Sequence, residues 1–233
     1  MIDDKNPLIT VIIPTYNSAA TLRRAILSVI KQTHPDFELI IVDDCSTDNT
    51  EATVRQFNDK RITYVRHLEN KGCAAGRNTG MSKAQGSLLA FLDSDDEFLP
   101  EKLERVSKMF QCLSKDTAMI ITNLTTSNTQ GQVYVSKQLN SEYVLSSTFP
   151  GSVFSVASSW MLRKDCMDQI GLFDEMVGTI EDADYFARVL DKFRIYYFNQ
   201  ALSVKHDSFE RKGYLSDKHF LGRELFCRST LQK

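Results

Sequence analysis

The stretch Ser87-Leu88-Leu89-Ala90-Phe91-Leu92-Asp93-Ser94-Asp95-Asp96 decides how the rest of the chain is read. Leu88 to Leu92 is a continuous apolar run, which suits a strand buried on both faces of a parallel sheet. It ends abruptly in three carboxylates within four residues. In open α/β sheets the ligand crevice lies outside the carboxyl ends of the strands. Carboxylates crowded there repel one another, and hard oxygen ligands of this kind suit Mg2+ or Mn2+. A solvated acidic turn ahead of the next helix would look the same in isolation, so the neighbouring segments must decide.

Toward the N-terminus, Leu8 to Ile13 reads as a second buried strand, stopped by Pro14 and followed by the loop Thr15-Tyr16-Asn17. Ser18 is placed to cap a helix reaching Ile30, with Leu22, Ala25, Ile26 and Val29 at helical spacing. Phe37 to Val42 is another apolar strand, ending in Asp43-Asp44-Cys45-Ser46, and Thr47 or Asp48 caps a helix to about Phe57. Ile62 to Val65 is a short strand. Asn70-Lys71-Gly72 then turns into a helix holding Arg77 and Asn78. Beyond the acidic stretch, Pro100 suits a first helical turn, Leu103 to Leu113 has an apolar helical face, and Ala118 to Ile121 is a strand. Strands and helices alternate with short connections, which indicates an α/β fold with a doubly wound, mainly parallel central sheet.

The pattern changes after Thr122. Thr125 to Thr148 is rich in Ser, Thr, Asn and Gln, with a hairpin arm at Gln132 to Val135, and reads as an excursion from the sheet. Val153 to Leu162 returns as a strand containing Trp160. Arg163 to Ile170 is a short helix, Gly171 to Glu175 a turn, Glu181 to Asp191 a helix, and Arg194 to Phe198 a last strand. The tail from His206 has no readable pattern. Residues 1–233 form a single domain on this reading. About 1–122 make the half that carries the acidic loops, and about 123–233 a smaller second half.

Composition sets bounds on function. A net charge of −2 gives no electrostatic case for a nucleic-acid partner. Five cysteines at 45, 73, 112, 166 and 227 show neither a CxxC nor a metal-finger spacing, as expected of reduced thiols in a cytoplasm. Met1 to Lys5 is too polar for a signal peptide, and no apolar run reaches the ~18–20 residues of a membrane span. Contact with the inner face of a membrane stays open, as does oligomeric state.

Three strand ends, Thr15-Tyr16-Asn17, Asp43-Asp44 and Asp93-Ser94-Asp95-Asp96, fall on one edge of a parallel sheet. Tyr16 can stack on a base there or pack on a helix; Asp43 and Asp44 can accept from a ring N–H or cap a helix. Arg77 follows the small residues Gly72 to Gly76 and can reach a nucleotide or a carboxylate. The glycine spacing does not fit GxGxxG, which argues against a Rossmann cofactor, and Pro14-Thr15-Tyr16-Asn17 is no basic, glycine-rich phosphate loop, which argues against a nucleotidyltransferase. Asp182 shares a helix face with Tyr185, Phe186, Val189 and Leu190, so it should be partly desolvated and a better proton acceptor. His206 reads as a structural or exposed histidine, or as a further metal ligand beside Asp95. Trp160 fits a core position better than a sugar-stacking one.

Together these segments resemble the family 2 glycosyltransferases of the GT-A fold. The resemblance is carried in order by Val11 to Asn17, Glu38 to Asp48, Asn70-Lys71-Gly72, Ala75 to Asn78, Phe91 to Asp96, Gly171 to Glu175 and Glu181-Asp182. It implies a Rossmann-like sheet with a nucleotide-sugar half and an acceptor-side subregion. It also implies inverting transfer from a nucleotide-diphosphate sugar, usually of uridine, to a glycan or lipid-linked saccharide in polysaccharide synthesis. Donor contacts are implied for Pro14, Thr15, Tyr16, Asn17, Asp44, Arg77, Asp93 and Ser94. Of these, Thr15, Tyr16 and Asp44 hold the base, while Asp43 supports their loop. Asp93-Ser94-Asp95 matches the DxD motif, with Mn2+ or Mg2+ held by Asp95 and Asp93 and with His206 at a position where such enzymes often have histidine. Asp182 is the implied general base, beside Glu181, and Trp160 lies on the acceptor side. The chain departs from the pattern at Lys205, where Arg is frequent, and at Gly76, where Ala is frequent. Its C-terminal region reads as shorter than in many family members. A nucleotide-sugar-binding scaffold without turnover is the non-enzymatic alternative, and intact Asp95 and Asp182 argue against it.

Overall fold

A computed structural model of the chain describes residues 6–127, 133–136, 143–145 and 156–206. The strands are β1 (Ile9–Thr15), β2 (Phe37–Asp43), β3 (Ile62–Arg66), β4 (Leu88–Phe91), β5 (Glu97–Phe98), β6 (Thr117–Ser127), β7 (Val133–Ser136), β8 (Tyr143–Leu145), β9 (Trp160–Arg163) and β10 (Arg194–His206). The helices are α1 (Ala19–Ile30), α2 (Thr50–Val54), α3 (Cys73–Lys83), α4 (Lys102–Cys112), α5 (Met167–Ile170) and α6 (Glu181–Lys192). The expected strand start at Val153 and the tail beyond His206 lie outside the described residues.

One sheet runs β3-β2-β1-β4-β9-β6-β10-β5, with β7 added to β6 and β8 to β10. The first four strands pair in parallel, as their unbroken apolar runs require. The antiparallel β9 is inserted between β4 and β6, and β6 pairs in parallel with β10. The carboxyl ends of β1, β2, β4, β6 and β10 therefore share one edge.

Helices cover both faces. Ile9, Val11 and Ile13 point to one core with Leu22 and Ile26 of α1 and Val106 and Phe110 of α4. Ile12, Leu89 and Phe91 point to the other, with Met81 of α3 and Tyr185 and Val189 of α6. Helix α3 lies very close to β1. A Cβ on Gly80 would fall 2.4 Å from Ile12, and one on Gly76 would fall 3.0 Å from Pro14. The glycines allow this approach, and an alanine at position 76 would need Pro14 to shift slightly.

Several expectations change. Pro14 does not stop β1. The Ile12 carbonyl accepts from Leu92 on the β4 side and the Thr15 carbonyl from Asp44 on the β2 side. The alternation puts the Pro14 nitrogen on the β4 side, where pairing has already ended at Ile12, so its missing donor removes no ladder bond. Ser18 does not cap α1 with its side chain; its hydroxyl donates to the Tyr16 carbonyl and accepts from Ser94. Asp48 takes over, accepting the Ala19 N–H at 3.0 Å and the Thr50 N–H at 2.9 Å. The last strand runs well past Phe198, to His206, by shifting register on β6 around Asn199 and Gln200.

Candidate active site

The β1 and β2 loops are laced together. Asn17 adopts φ 47°, a left-handed conformation that asparagine tolerates. Its N–H donates to Ser46 Oγ at 2.9 Å, and its Oδ1 accepts from the Thr47 N–H at 2.8 Å. Asp43 is wholly buried and holds the loop from below. It accepts from the Ser46 N–H at 2.8 Å and the Tyr64 hydroxyl at 2.5 Å, with Arg66 at 3.6 Å. Asp44 accepts from the Lys71 N–H at 2.9 Å, the Gly72 N–H at 2.7 Å and His67 Nδ1 at 2.7 Å. It thus ties the base of α3 to the β2 loop, and its acceptor sites are occupied by the protein itself. Tyr16 stands 49% exposed beside this lacing, its ring free of the core.

The β4 loop differs. Asp93, Asp95 and Asp96 each present a carboxylate oxygen, all within 4.8 Å of one another. Asp96 is 1% exposed, and its Oδ2 is buried without a hydrogen-bond donor among the described residues. Burial first, then the charges of Asp93 and Asp95, push the Asp96 carboxyl up to about 7 against the Ser158 hydroxyl and Lys205. Three hard oxygens with an orphaned buried acceptor fit a divalent cation.

Arg77 joins this loop to the start of α6. It is 2% exposed. One guanidinium nitrogen lies 3.0 Å from Asp93; the other lies 2.8 Å from Glu181 and 2.9 Å from Asp182. Of the alternatives left by the sequence, Arg77 is therefore engaged with carboxylates. The Phe173 ring lies below it at 5.4 Å and stacks on Tyr185. Asn78, the next residue, anchors the Gly171–Glu175 turn by exchanging hydrogen bonds with the Phe173 backbone at 3.0 and 2.8 Å. Two separated motifs of the sequence are thus one contact.

Asp182 meets the expectation of partial desolvation. Its Oδ2 accepts the Ala157 N–H at 3.0 Å. Burial is the largest influence and pushes its carboxyl up to about 6, with Arg77 opposing and Asp93 and Glu181 adding to the rise. A carboxylate of this kind is suited to accept a proton near neutral pH.

Two expected site residues are placed elsewhere. Trp160 does not reach a sugar: it is 0% exposed in β9, with Phe91 edge-on and Phe186 beside it. An antiparallel strand in the middle of the sheet leaves no solvent face to its indole. The His206 ring is not among the grouped carboxylates. Its Nε2 lies 2.7 Å from Glu97, although its backbone N–H reaches Asp96 at 3.3 Å. Sequence reasoning missed the 3-10 turn Ala157–Ser159, which supplies Ala157 to Asp182 and Ser158 Oγ to the Asp93 N–H at 3.0 Å. It also missed the buried Lys102, whose ammonium burial pushes down to about 7 while Asp96 opposes. Small residues in a run such as Ser155 to Ser159 give no pattern to read.

Among the described residues no helix is long and apolar enough to cross a membrane. The model of glycosyl transferase family 2 matches residues 10–171. The Escherichia coli protein UDP-Glc:alpha-D-GlcNAc-diphosphoundecaprenol beta-1,3-glucosyltransferase WfgD is 43% identical over 105 residues, covering 45% of this chain and 42% of that protein. The structure of S. aureus TarS 1–349 in complex with UDP-GlcNAc superposes with TM-score 0.77 at 21% identity, over 89% of this chain and 61% of that one. The mannosyltransferase PcManGT from Pyrobaculum calidifontis, in complex with GDP-Man and Mn2+, superposes with TM-score 0.66 at 18% identity, over 92% and 61%. Each match spans less than two thirds of the protein compared. The family match takes in the β1, β2 and β4 loops, the Arg77 helix and the Ala157–Ser159 turn alike, and the chain belongs to glycosyltransferase family 2, on a GT-A sheet.

Proposed function

We propose that the chain transfers a sugar, with inversion, from a UDP-sugar to a hydroxyl of a glycan or lipid-linked saccharide. The carrying observation is the Arg77 bridge. It sets a carboxylate with raised proton affinity, Asp182, beside the group of acidic residues that suits a diphosphate-bound cation. Relatives and structural neighbours support the donor class: WfgD is named for UDP-Glc and a diphosphoundecaprenol-linked acceptor, and TarS was solved with UDP-GlcNAc.

On this reading Tyr16 stacks on the base and Thr15 lies beneath it, while Asp43 and Asp44 keep their loop rigid. Asp95, with Asp93 and Asp96, holds Mn2+ or Mg2+, as the Mn2+ complex of PcManGT supports. When bound, such an ion neutralises negative charge on the departing diphosphate. Asp182 takes the proton of the acceptor hydroxyl as that oxygen bonds to the anomeric carbon and the carbon–diphosphate bond breaks on the opposite face. UDP leaves, and the configuration inverts. Arg77 is shared by Glu181 and Asp182, and its charge offsets the repulsion between the two carboxylates. The raised affinity of Asp182 for a proton allows it to receive one near neutral pH.

Calorimetric titration of UDP with and without Mn2+ tests the donor side. The expected result is binding that strengthens by at least ~10-fold with Mn2+ and loses that increment in Asp95→Ala. Equal binding with and without the ion would remove the cation from the proposal, and no binding in either condition would remove the uridine donor.

A further inference from the structure

Lys102 occupies a place that local rules disfavour. It is wholly buried, and it is the first residue of α4, where the helix dipole is unfavourable to a cation. Its Nζ donates to the Ser158 carbonyl and to Ser203 Oγ, both at 2.8 Å, and lies 4.5 Å from the Phe98 ring centre. Ser203 Oγ donates to the same carbonyl at 2.7 Å. Two donors therefore converge on one backbone oxygen in the three-residue turn Ala157–Ser159.

Like Arg77, that turn bridges the two chemical ends of the site. Its Ala157 N–H meets Asp182, and its Ser158 hydroxyl meets the Asp93 N–H. The first contact fixes a carboxylate oxygen of α6; the second fixes the backbone that launches the acidic loop. A short 3-10 turn has poor hydrogen-bond geometry of its own, so its position depends on what holds it from outside.

We propose that Lys102 is a positioning residue for the transfer: by gripping the Ser158 carbonyl it sets the turn that fixes Asp182 relative to the Asp93 loop. The inference rests on the roles assigned above to Asp182 and the acidic loop. Misplacement of reacting groups by about 1 Å can cost ~100-fold in rate, so a residue that never touches substrate can govern turnover in this way. A purely architectural lysine, tying α4 to β10, predicts something different: loss of stability, with activity per folded molecule preserved.

Lys102→Met separates the two. Methionine fills a similar volume, and the Ser158 carbonyl keeps the Ser203 donor, so that carbonyl is not orphaned. Hydrogen–deuterium exchange should speed up by ~10-fold or more at the Ala157 and Asp93 amides, with β1, β2 and β10 unchanged. UDP release from UDP-glucose or UDP-N-acetylglucosamine should fall ~10–100-fold in kcat, with the donor KM within ~3-fold. Unchanged exchange at those two amides overturns the proposal. So does a rise spread evenly over the sheet, or a kcat preserved per folded molecule. If Lys102→Met does not fold, Lys102→Gln keeps a polar head but falls short of the Ser158 carbonyl and must show the same local exchange; its absence overturns the proposal equally. The exchange measurement needs no substrate. A wild-type chain that turns over neither donor therefore removes the functional reading, while the positioning claim is still decided.

Discussion

Two acidic loops lie on the same sheet edge, and the fold treats them oppositely. At the end of β2, Asp43 and Asp44 are met by the N–H groups of Ser46, Lys71 and Gly72, by Tyr64 and by His67. At the end of β4, Asp93, Asp95 and Asp96 face each other. Arg77 meets Asp93, and one Asp96 oxygen has no donor among the described residues. Carboxylates bound to backbone donors are finished parts of a scaffold. Carboxylates left crowded keep a demand for positive charge, which raises proton affinity until something else supplies it. On the proposed reading the β2 loop shapes the site, and the β4 loop with α6 does its chemistry.

The contrast is tested most strongly at Asp182. Asp182→Asn keeps shape and the Ala157 contact but removes the proton acceptor, so kcat should fall ~10²–10⁴-fold while the melting temperature holds or rises. Turnover within a few-fold of wild type, measured as UDP release, would place the base elsewhere. Asp43→Asn should do the reverse. It breaks charge-assisted bonds in a buried loop and should cost about 1–3 kcal/mol of stability in urea unfolding, with kcat reduced much less than in Asp182→Asn. If Asp43→Asn instead leaves stability intact and abolishes turnover, the two loops do not divide the work in this way.

The pH dependence sharpens the same division. Asp182 must be ionised to accept a proton, and its carboxyl is pushed up to about 6, so kcat/KM should fall tenfold per pH unit below about 6. Stability moves the other way. The folded chain holds this proton more tightly than the unfolded chain, whose value is near 3.8, so Asp182 destabilises above about 6 and that penalty is relieved as the pH drops. Arg77 opposes the rise, so Arg77→Gln should move the acid limb to higher pH. A limb that stays in place would show that Arg77 does not govern the Asp182 charge.

Legibility in the sequence followed the reach of the interactions involved. The polar loops after β1, β2 and β4 could be read because doubly covered parallel strands need unbroken apolar runs, and those runs stop near where the polar loops begin. Asp182 could be read because its helix face is set by neighbours three and four residues away. What could not be read depends on partners far along the chain. Lys102 looks like any exposed lysine in a first helical turn until Ser158 and Ser203 arrive from 56 and 101 residues away. Asp48 looks like the cap of its own helix, yet it also caps α1, 29 residues back. The continuation of β10 past Phe198 was hidden because Asn199 and Gln200 sit at a register shift, where polar residues break the alternation without ending the strand. Trp160 read better as core than as a sugar contact, but which neighbours bury it was not legible, because burial in β9 depends on strands on both sides, β4 and β6, that its own sequence does not announce.

The smallest expected effect bears on what the β2 side contributes beyond a frame. Tyr16 is 49% exposed, and its carbonyl is held by Ser18 while the left-handed Asn17 turns the chain away. A ring held at the backbone and bare on its face is prepared to stack. Base–aromatic stacking is worth ~1–3 kcal/mol by alanine substitution, and a half-exposed ring belongs at the lower end. Tyr16→Ala should therefore weaken UDP binding about 5-fold in calorimetry, whereas Tyr16→Phe, which keeps the face, should change it less than about 2-fold. Equal losses in both variants would mean that the hydroxyl and not the ring makes the contact. Trp160→Phe supplies the control, because a buried core indole should cost stability and leave the UDP affinity of the folded chain unchanged. An aromatic that is exposed at the sheet edge and one that is buried beneath it then give opposite signatures, as the two acidic loops do.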